Sequence, residues 1–250
     1  MNNQDFGLPL GTAVASAFTP LVIVAGTNVI RGQASRDLFL ERIVVLGDAA
    51  APLSGLVADV KVMKQSVVPS SKGFPVSMLQ PTAYDDEALS LGLSIEGGTF
   101  VDVEYVAPAA EAGVQLSGFV GSQSMPEGVD VGQDSLDDYS FIFGMGEAIL
   151  AGAGAWTLES QALRDVFLGR LVLSAPPGYT IESISIAGAE MFSGDGSILV
   201  GALSTTGTDT DGLTLGKLLQ SGESIVIKGQ ANAAGGVQAG IYLSDPESII

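Results

Sequence analysis

The chain contains no histidine and no cysteine. Together these absences exclude Ser-His-Asp and Cys-His catalysis, zinc held by His or Cys, haem on histidine, iron–sulfur clusters and disulfides. Carboxylate pairs remain as general acid–base groups, but a glycosidase also needs sugar-stacking aromatic side chains around such a pair. One Trp and five Tyr in 250 residues mark no cleft of that kind. We therefore predict a protein that is not an enzyme.

Basic residues are also scarce, with ten Lys and Arg against 28 Asp and Glu and a net charge of -18. Phosphate backbones are bound by clustered Lys and Arg, so we expect no direct nucleic-acid binding. No run of 18 apolar residues is present, and residues 1–5 lack the basic start of a signal peptide. We therefore expect neither a membrane span nor a secretion signal.

An internal repeat organises the sequence. Residues 36–45 align with residues 164–173, with six of ten positions identical. Farther along, 113–115 align with 236–238. Between these blocks, three apolar residues of each half also align: Val57, Val60 and Val62 with Ile181, Ile184 and Ile186. Collinear blocks at nearly constant spacing indicate a duplicated domain of about 125 residues, much longer than a solenoid repeat.

The hydrophobic pattern has a period of two, with turns rich in Gly, Pro and Asp, and each half contains eight candidate strands. It predicts an all-β chain of two tandem, eight-stranded, antiparallel, jelly-roll-like β-sandwiches. The expected domains are 1–124 and 140–250, joined by a linker at 125–139. The fourth strands are predicted at 56–66 and 180–188 and the fifth at 74–79 and 197–203. Segments 85–89 and 213–220 have a short helix as an alternative.

Charged residues recur at matched positions of the repeat, and each pair of arginines lies six residues apart, on one face of a single strand. Two interpretations are open: a contact with another subunit or an anion, and an ion pair or hydrogen-bond anchor within each domain. The apolar C-terminus is a further candidate contact with a neighbour or with the first domain. The candidates are Arg36, Asp37, Arg42, Arg164, Asp165, Arg170, Ile249 and Ile250.

Asp209 and Asp211 occupy an Asp-x-Asp-Gly spacing typical of calcium loops. The bidentate Glu of an EF-hand is missing downstream, so a solvated acidic turn is the alternative. No other cofactor is expected.

The duplicated eight-strand count, the short linker and turn-then-strand segments such as 177–188 resemble the double jelly-roll major capsid proteins of tailless icosahedral viruses and bacteriophages. The resemblance covers nearly the whole chain and lies in architecture, without a specific motif. It implies a homotrimer that forms pseudo-hexagonal capsomers, an icosahedral shell assembled in the host cytoplasm, and other virion proteins as partners. The alternatives are a secreted or cell-surface tandem binding module of the carbohydrate or adhesin type, and an acidic polysaccharide-active enzyme.

Overall fold

The structure is a computed structural model that describes residues 7–9, 21–33, 38–46, 53–79, 90–120, 142–203 and 213–243. These residues form antiparallel strands and two short 3-10 turns, Val76–Leu79 and Val200–Leu203, so the prediction of an all-β chain is confirmed. The strands of the first half are β1 (Gly7–Pro9), β2 (Leu21–Ile23), β3 (Gly26–Gln33), β4 (Leu38–Leu46), β5 (Leu56–Val62), β6 (Gln65–Ser66), β7 (Phe74–Pro75), β8 (Ser90–Ile95), β9 (Phe100–Ala107) and β10 (Glu111–Val120). Those of the second half are β11 (Ile142–Leu150), β12 (Gly154–Gln161), β13 (Val166–Ser174), β14 (Thr180–Ile186), β15 (Ala189–Leu199), β16 (Thr214–Leu219), β17 (Ser224–Ala231) and β18 (Gly235–Leu243).

The chain divides into two compact units. Unit 1 contains the described residues up to Val67, Leu79 and residues 90–120. Unit 2 contains residues 142–203 and 213–243, together with Val68–Met78 from the first half of the sequence, which we call the strap. The predicted linker 125–139 lies outside the described residues, and the boundaries 1–124 and 140–250 stay a prediction.

Unit 2 contains two four-stranded sheets, with strand orders β11-β18-β13-β16 and β12-β17-β14-β15. Numbered within the unit, these orders are 1-8-3-6 and 2-7-4-5. The core lies where alternate side chains of both sheets face inward, as Leu171, Ile184, Ile227 and Ile241 do at 1% exposure or less. The period-two pattern of the sequence therefore places one apolar face of each sheet in the core.

Unit 1 repeats this strand order. One sheet runs β1-β10-β4-β8, with β2 pairing farther along β10, and the other runs β3-β9-β5-β6. If β1 and β2 share the first position, the orders are again 1-8-3-6 and 2-7-4-5.

The strands β5 and β14 agree in detail. Both have the same sequence of buried, half-buried and exposed residues. Val57, Val60 and Val62 are buried, as are the aligned residues Ile181, Ile184 and Ile186. Each strand also has a register shift after its second residue, between Val57 and Asp59 and between Ile181 and Ser183. The sequence repeat thus extends to the β-bulges.

The predicted fourth and fifth strands need correction in both halves. Predicted strands 56–66 and 180–188 are interrupted by two-residue turns at Met63-Lys64 and Ala187-Gly188, and the fifth strands begin directly after these turns. Most of predicted strand 74–79, and the end of 197–203, are 3-10 turns instead. The alternative of a helix at 213–220 is wrong because β16 covers that segment. Segment 85–89 lies outside the described residues.

The two turns predict a stabilising substitution. Both central residues of each turn have positive φ, at 52° and 70° for Met63 and Lys64 and at 50° and 76° for Ala187 and Gly188. Glycine adopts this conformation without the steric cost that Lys64 carries. We expect Lys64→Gly to raise the free energy of unfolding by about 0.5–1 kcal/mol, less than the full strain because glycine also gains entropy in the unfolded chain. Urea titration measures the change.

Gly188→Lys is the matched reverse variant and is expected to lower the stability by a similar amount. The interpretation of strain at the first turn would be wrong if Lys64→Gly left the unfolding midpoint unchanged while Gly188→Lys lowered it.

Candidate functional site

The strap is bound to unit 2 along the open edge of its two sheets. It crosses from the end of β12 to the beginning of β11, and isolated bridges join Ser70 to Ala162 and Lys72 to Gly144. Its hydrogen bonds use backbone groups and serine hydroxyls: Leu163 N to Pro69 O (2.8 Å), Ser71 N to Gln161 O (2.9 Å), Gln161 N to Ser71 Oγ (2.9 Å), Gly144 N to Ser70 Oγ (2.6 Å) and Gly146 N to Gly73 O (2.7 Å). The strap therefore satisfies edge groups that would otherwise be unpaired.

Two glycines let the strap approach the sheet. Gly144 and Gly240 lie directly opposite each other on β11 and β18, on the side of the sheet away from the core. A Cβ on Gly144 would overlap the carbonyl oxygens of Lys72 and Gly73, and a Cβ on Gly240 would lie 2.5 Å from Met78 Sδ. Because Gly144 and Gly240 have no side chains, the strap backbone can lie close against this face of β11 and β18.

Farther along, the strap is held by Tyr242 on β18. The Tyr242 side chain is 3% exposed, and its hydroxyl donates a hydrogen bond of 3.3 Å to Met78 O. The guanidinium of Arg170 lies over the same ring, with its central carbon 5.3 Å from the ring centroid. This cation–π pair joins a repeat-matched arginine to the residue that anchors the strap.

An open cavity of about 620 Å³ lies where the strap passes between β11 and β12. Its lining includes Lys72 of the strap and the carboxylates of Glu147 and Glu159. The basic residue of the strap therefore lies at an edge that carries two acidic residues, and this opposition of charge favours binding of the strap.

The repeat-matched charges of the second half have contacts within unit 2. Asp165 Oδ1 accepts a hydrogen bond of 2.7 Å from Ser221 N and so fixes the turn before β17. Arg170 lies against Tyr242 as described above. Arg164 precedes β13, which begins at Val166, and a register shift separates Leu168 from Arg170. The prediction that Arg164 and Arg170 share one face of one strand is therefore wrong.

In the first half, the backbone of Arg42 lies on β4 opposite Phe119, just as Arg170 lies opposite Tyr242. A role of the matched arginines at a subunit interface stays a prediction. Six of the predicted site residues lie outside the described residues: Arg36, Asp37, Asp209, Asp211, Ile249 and Ile250.

Unit 1 carries a polar surface on β3, β5 and β9 that no sequence motif indicated. Arg31 donates to both carboxylate oxygens of Asp102 at 2.7 and 2.8 Å, and this hydrogen bonding raises the pKa of Arg31 above its ordinary value. The Arg31 guanidinium also lies 5.0 Å from the centroid of the Phe100 ring. These residues, with the Lys64 turn, line an open cavity of about 460 Å³.

Lys61 on β5 forms an ion pair with Glu104 and a second one with Asp59 at 3.5 Å. The hydrogen bond to Glu104 raises the pKa of Lys61, while partial desolvation opposes the shift. The sequence signal for these ion pairs was the alternation of charged and apolar residues along β5 and β9. Which residues pair across the sheet is not visible in the sequence.

Among the described residues, no group of three or more Asp and Glu is arranged to hold a metal ion. Within that same part of the chain, no helix is long and apolar enough to cross a bilayer.

Comparison with other proteins adds no relative: no protein-family model, curated protein or solved structure matches this chain. Proposals about its function therefore rest on its own geometry.

Proposed function

We propose that the chain is a structural virion protein, the major capsid protein of a tailless icosahedral virus, with two tandem jelly rolls that arose by duplication. It forms homotrimeric, pseudo-hexagonal capsomers, which tile a closed shell in the host cytoplasm, and it performs no catalysis.

The strand order of each unit carries the proposal. An eight-stranded jelly roll consists of two four-stranded sheets, and this architecture is recurrent in viral capsid domains. Unit 2 has the orders 1-8-3-6 and 2-7-4-5, and unit 1 has the same orders when β1 and β2 count as one strand. The shared bulges of β5 and β14 support a common origin of the two units.

A duplicated sandwich also suits shell building on physical grounds. Each chain presents two similar sets of sheet edges, and similar edges accept similar neighbours around a ring. The net charge of -18 helps keep unassembled subunits apart in solution.

Light scattering on size-exclusion fractions, followed by electron microscopy, tests this proposal. We expect a species of about 76 kDa, three times the 25.4 kDa of one chain, which converts to closed shells of uniform diameter. A monomer of 25.4 kDa that persists at every protein, salt and calcium concentration would contradict the proposal. Glycan-array binding by such a monomer would instead support the tandem binding module.

A further inference from the structure

The strands β3 and β12 form matched edges of the two units. β3 pairs residue for residue with β9 from Gly26 to Gln33, and β12 pairs with β17 from Gly154 to Gln161, each over eight residues without a bulge. Gln33 donates its side-chain amide to Gly98 O at 3.1 Å, and Gln161 donates to Gly222 O at 2.7 Å. Both glycines lie in turns, with φ of 90° and 88°. The two strand ends are therefore equivalent in local structure.

These equivalent ends differ in their partners. On β12, Ser71 of the strap lies directly opposite Gln161 and exchanges two hydrogen bonds with its backbone. Gln33 has the same ladder position, so its N–H and C=O also point away from the neighbouring strand. No strand in the described part of the chain pairs with that side of β3, and Val29 on it is 55% exposed. A free edge of eight residues is a template for another strand.

The second half contains a segment that corresponds to the strap. The Met63-Lys64 turn and the 3-10 turn Val76–Leu79 recur 124 residues later as Ala187-Gly188 and Val200–Leu203. Residues 191–197 lie between the second pair of turns as residues 67–73 lie between the first, but they belong to the edge strand β15, which pairs with β14 at Ser193 and Ile198. In this alignment Asp195 corresponds to Ser71.

The strap and β12 carry charges opposite in sign to those of segment 191–197 and β3. The strap carries Lys72, and the β12 edge carries Glu159 in the same cavity. At the position of Glu159, β3 carries Arg31, half of whose side chain is exposed despite the pair with Asp102. Segment 191–197 carries Asp195 and no basic residue. Each segment therefore has the charge opposite to that of the edge it matches.

We propose that residues 193–197 of one chain bind the Gln33 end of β3 on a second copy of this chain, as the strap binds the Gln161 end of β12 in unit 2. In this pairing Asp195 is opposite Gln33, and the acidic segment meets the edge that carries Arg31. The contact is head-to-tail, because the donor segment belongs to unit 2 and the acceptor edge to unit 1. The inference rests on the proposed trimer and assigns its interface. A closed ring of three chains then has three strap contacts, one within each chain, and three contacts of the proposed kind, one between each pair of neighbours.

Engineered cysteines test the contact in the full chain, which has no cysteine of its own. Directly opposed residues on neighbouring strands lie within the Cα separation that a disulfide requires. After mild oxidation, the double variant Gln33→Cys/Asp195→Cys is expected to give disulfide-linked dimers and trimers on non-reducing gels. Mixing the two single variants is expected to give the dimer in at least tenfold excess over either variant alone. The matched control is Ser71→Cys/Gln161→Cys, which closes within one chain and keeps the monomer mass.

Two outcomes would overturn the inference. In one, the disulfide of the Gln33→Cys/Asp195→Cys variant forms within single chains, at the monomer mass. In the other, no disulfide forms in that variant while the control closes. Light scattering on the unmodified protein separates the two proposals, because a trimer without this cross-link contradicts the interface alone, whereas a monomer contradicts both.

Discussion

Gly144→Val is expected to lower the free energy of unfolding by about 2–4 kcal/mol and to release the strap from unit 2. The valine side chain would occupy the space of the Lys72 and Gly73 carbonyl groups, and backbone oxygens cannot rotate away as a side chain can. Urea unfolding followed through the fluorescence of Trp156, the single tryptophan, measures the loss in this unit.

Limited digestion with trypsin provides a second measurement of the same variant, because Lys72 lies within the strap. We expect cleavage after Lys72 to be at least tenfold faster than in the unmodified protein, since local release exposes the bond to the protease. Gly152→Val is the control, as a Cβ there would meet no atom within 4 Å. Equal stability of the two variants, with equal protection of Lys72, would contradict the role of Gly144 in binding the strap.

Tyr242→Ala is expected to lower the free energy of unfolding by about 3–5 kcal/mol. The substitution leaves a cavity at a buried position and removes both the ring that Arg170 covers and the hydroxyl that binds Met78 O. The same urea titration with Trp156 fluorescence measures the effect.

Tyr242→Phe is the matched conservative variant, because it removes only the hydroxyl. We expect a loss of about 1 kcal/mol, the net value of one hydrogen bond. The matched position of the first half is already phenylalanine, Phe119. A loss as large for Tyr242→Phe as for Tyr242→Ala would show that the hydroxyl, rather than the ring, provides the stability.

The all-β character and most strand positions were predictable because apolar residues alternate along strands such as β9, β12 and β17, and Gly, Pro and Asp mark many of the turns between strands. Val57, Val60 and Val62 are an example: the sequence alone aligns them with apolar residues of the second half, and the structure buries all three. Alternation breaks at the β-bulges beside Asp59 and Ser183, where one extra residue changes the face of all that follow.

The fifth strands were misplaced for a physical reason that is the same in both halves. Turns with positive φ usually contain Asn-Gly or Asp-Gly, whereas these contain Met63-Lys64 and Ala187-Gly188. Met63-Lys64 contains none of the Gly, Asn, Asp or Pro residues that mark a turn, so the sequence indicated one long strand instead of a hairpin.

The strap could not be predicted from the sequence. Its residues are mainly Ser, Pro, Gly and Lys, which are typical of a surface loop. Its partners lie far along the chain: Gly144 is 74 positions after Ser70, and Gln161 is 90 positions after Ser71. Composition carries no information about which edge such a segment will bind.

The strap also imposes an order on synthesis. Met78 leaves the ribosome 164 residues before Tyr242, its hydrogen-bond partner. During translation the strap can pair with β11 and β12 once these strands have been made, but Met78 cannot bind Tyr242 until β18 has been synthesised. Bringing such distant residues together is slow compared with local pairing. The far end of the strap therefore docks late in the folding of unit 2, and until it does, the part of the β18 face that Met78 covers is open to other molecules.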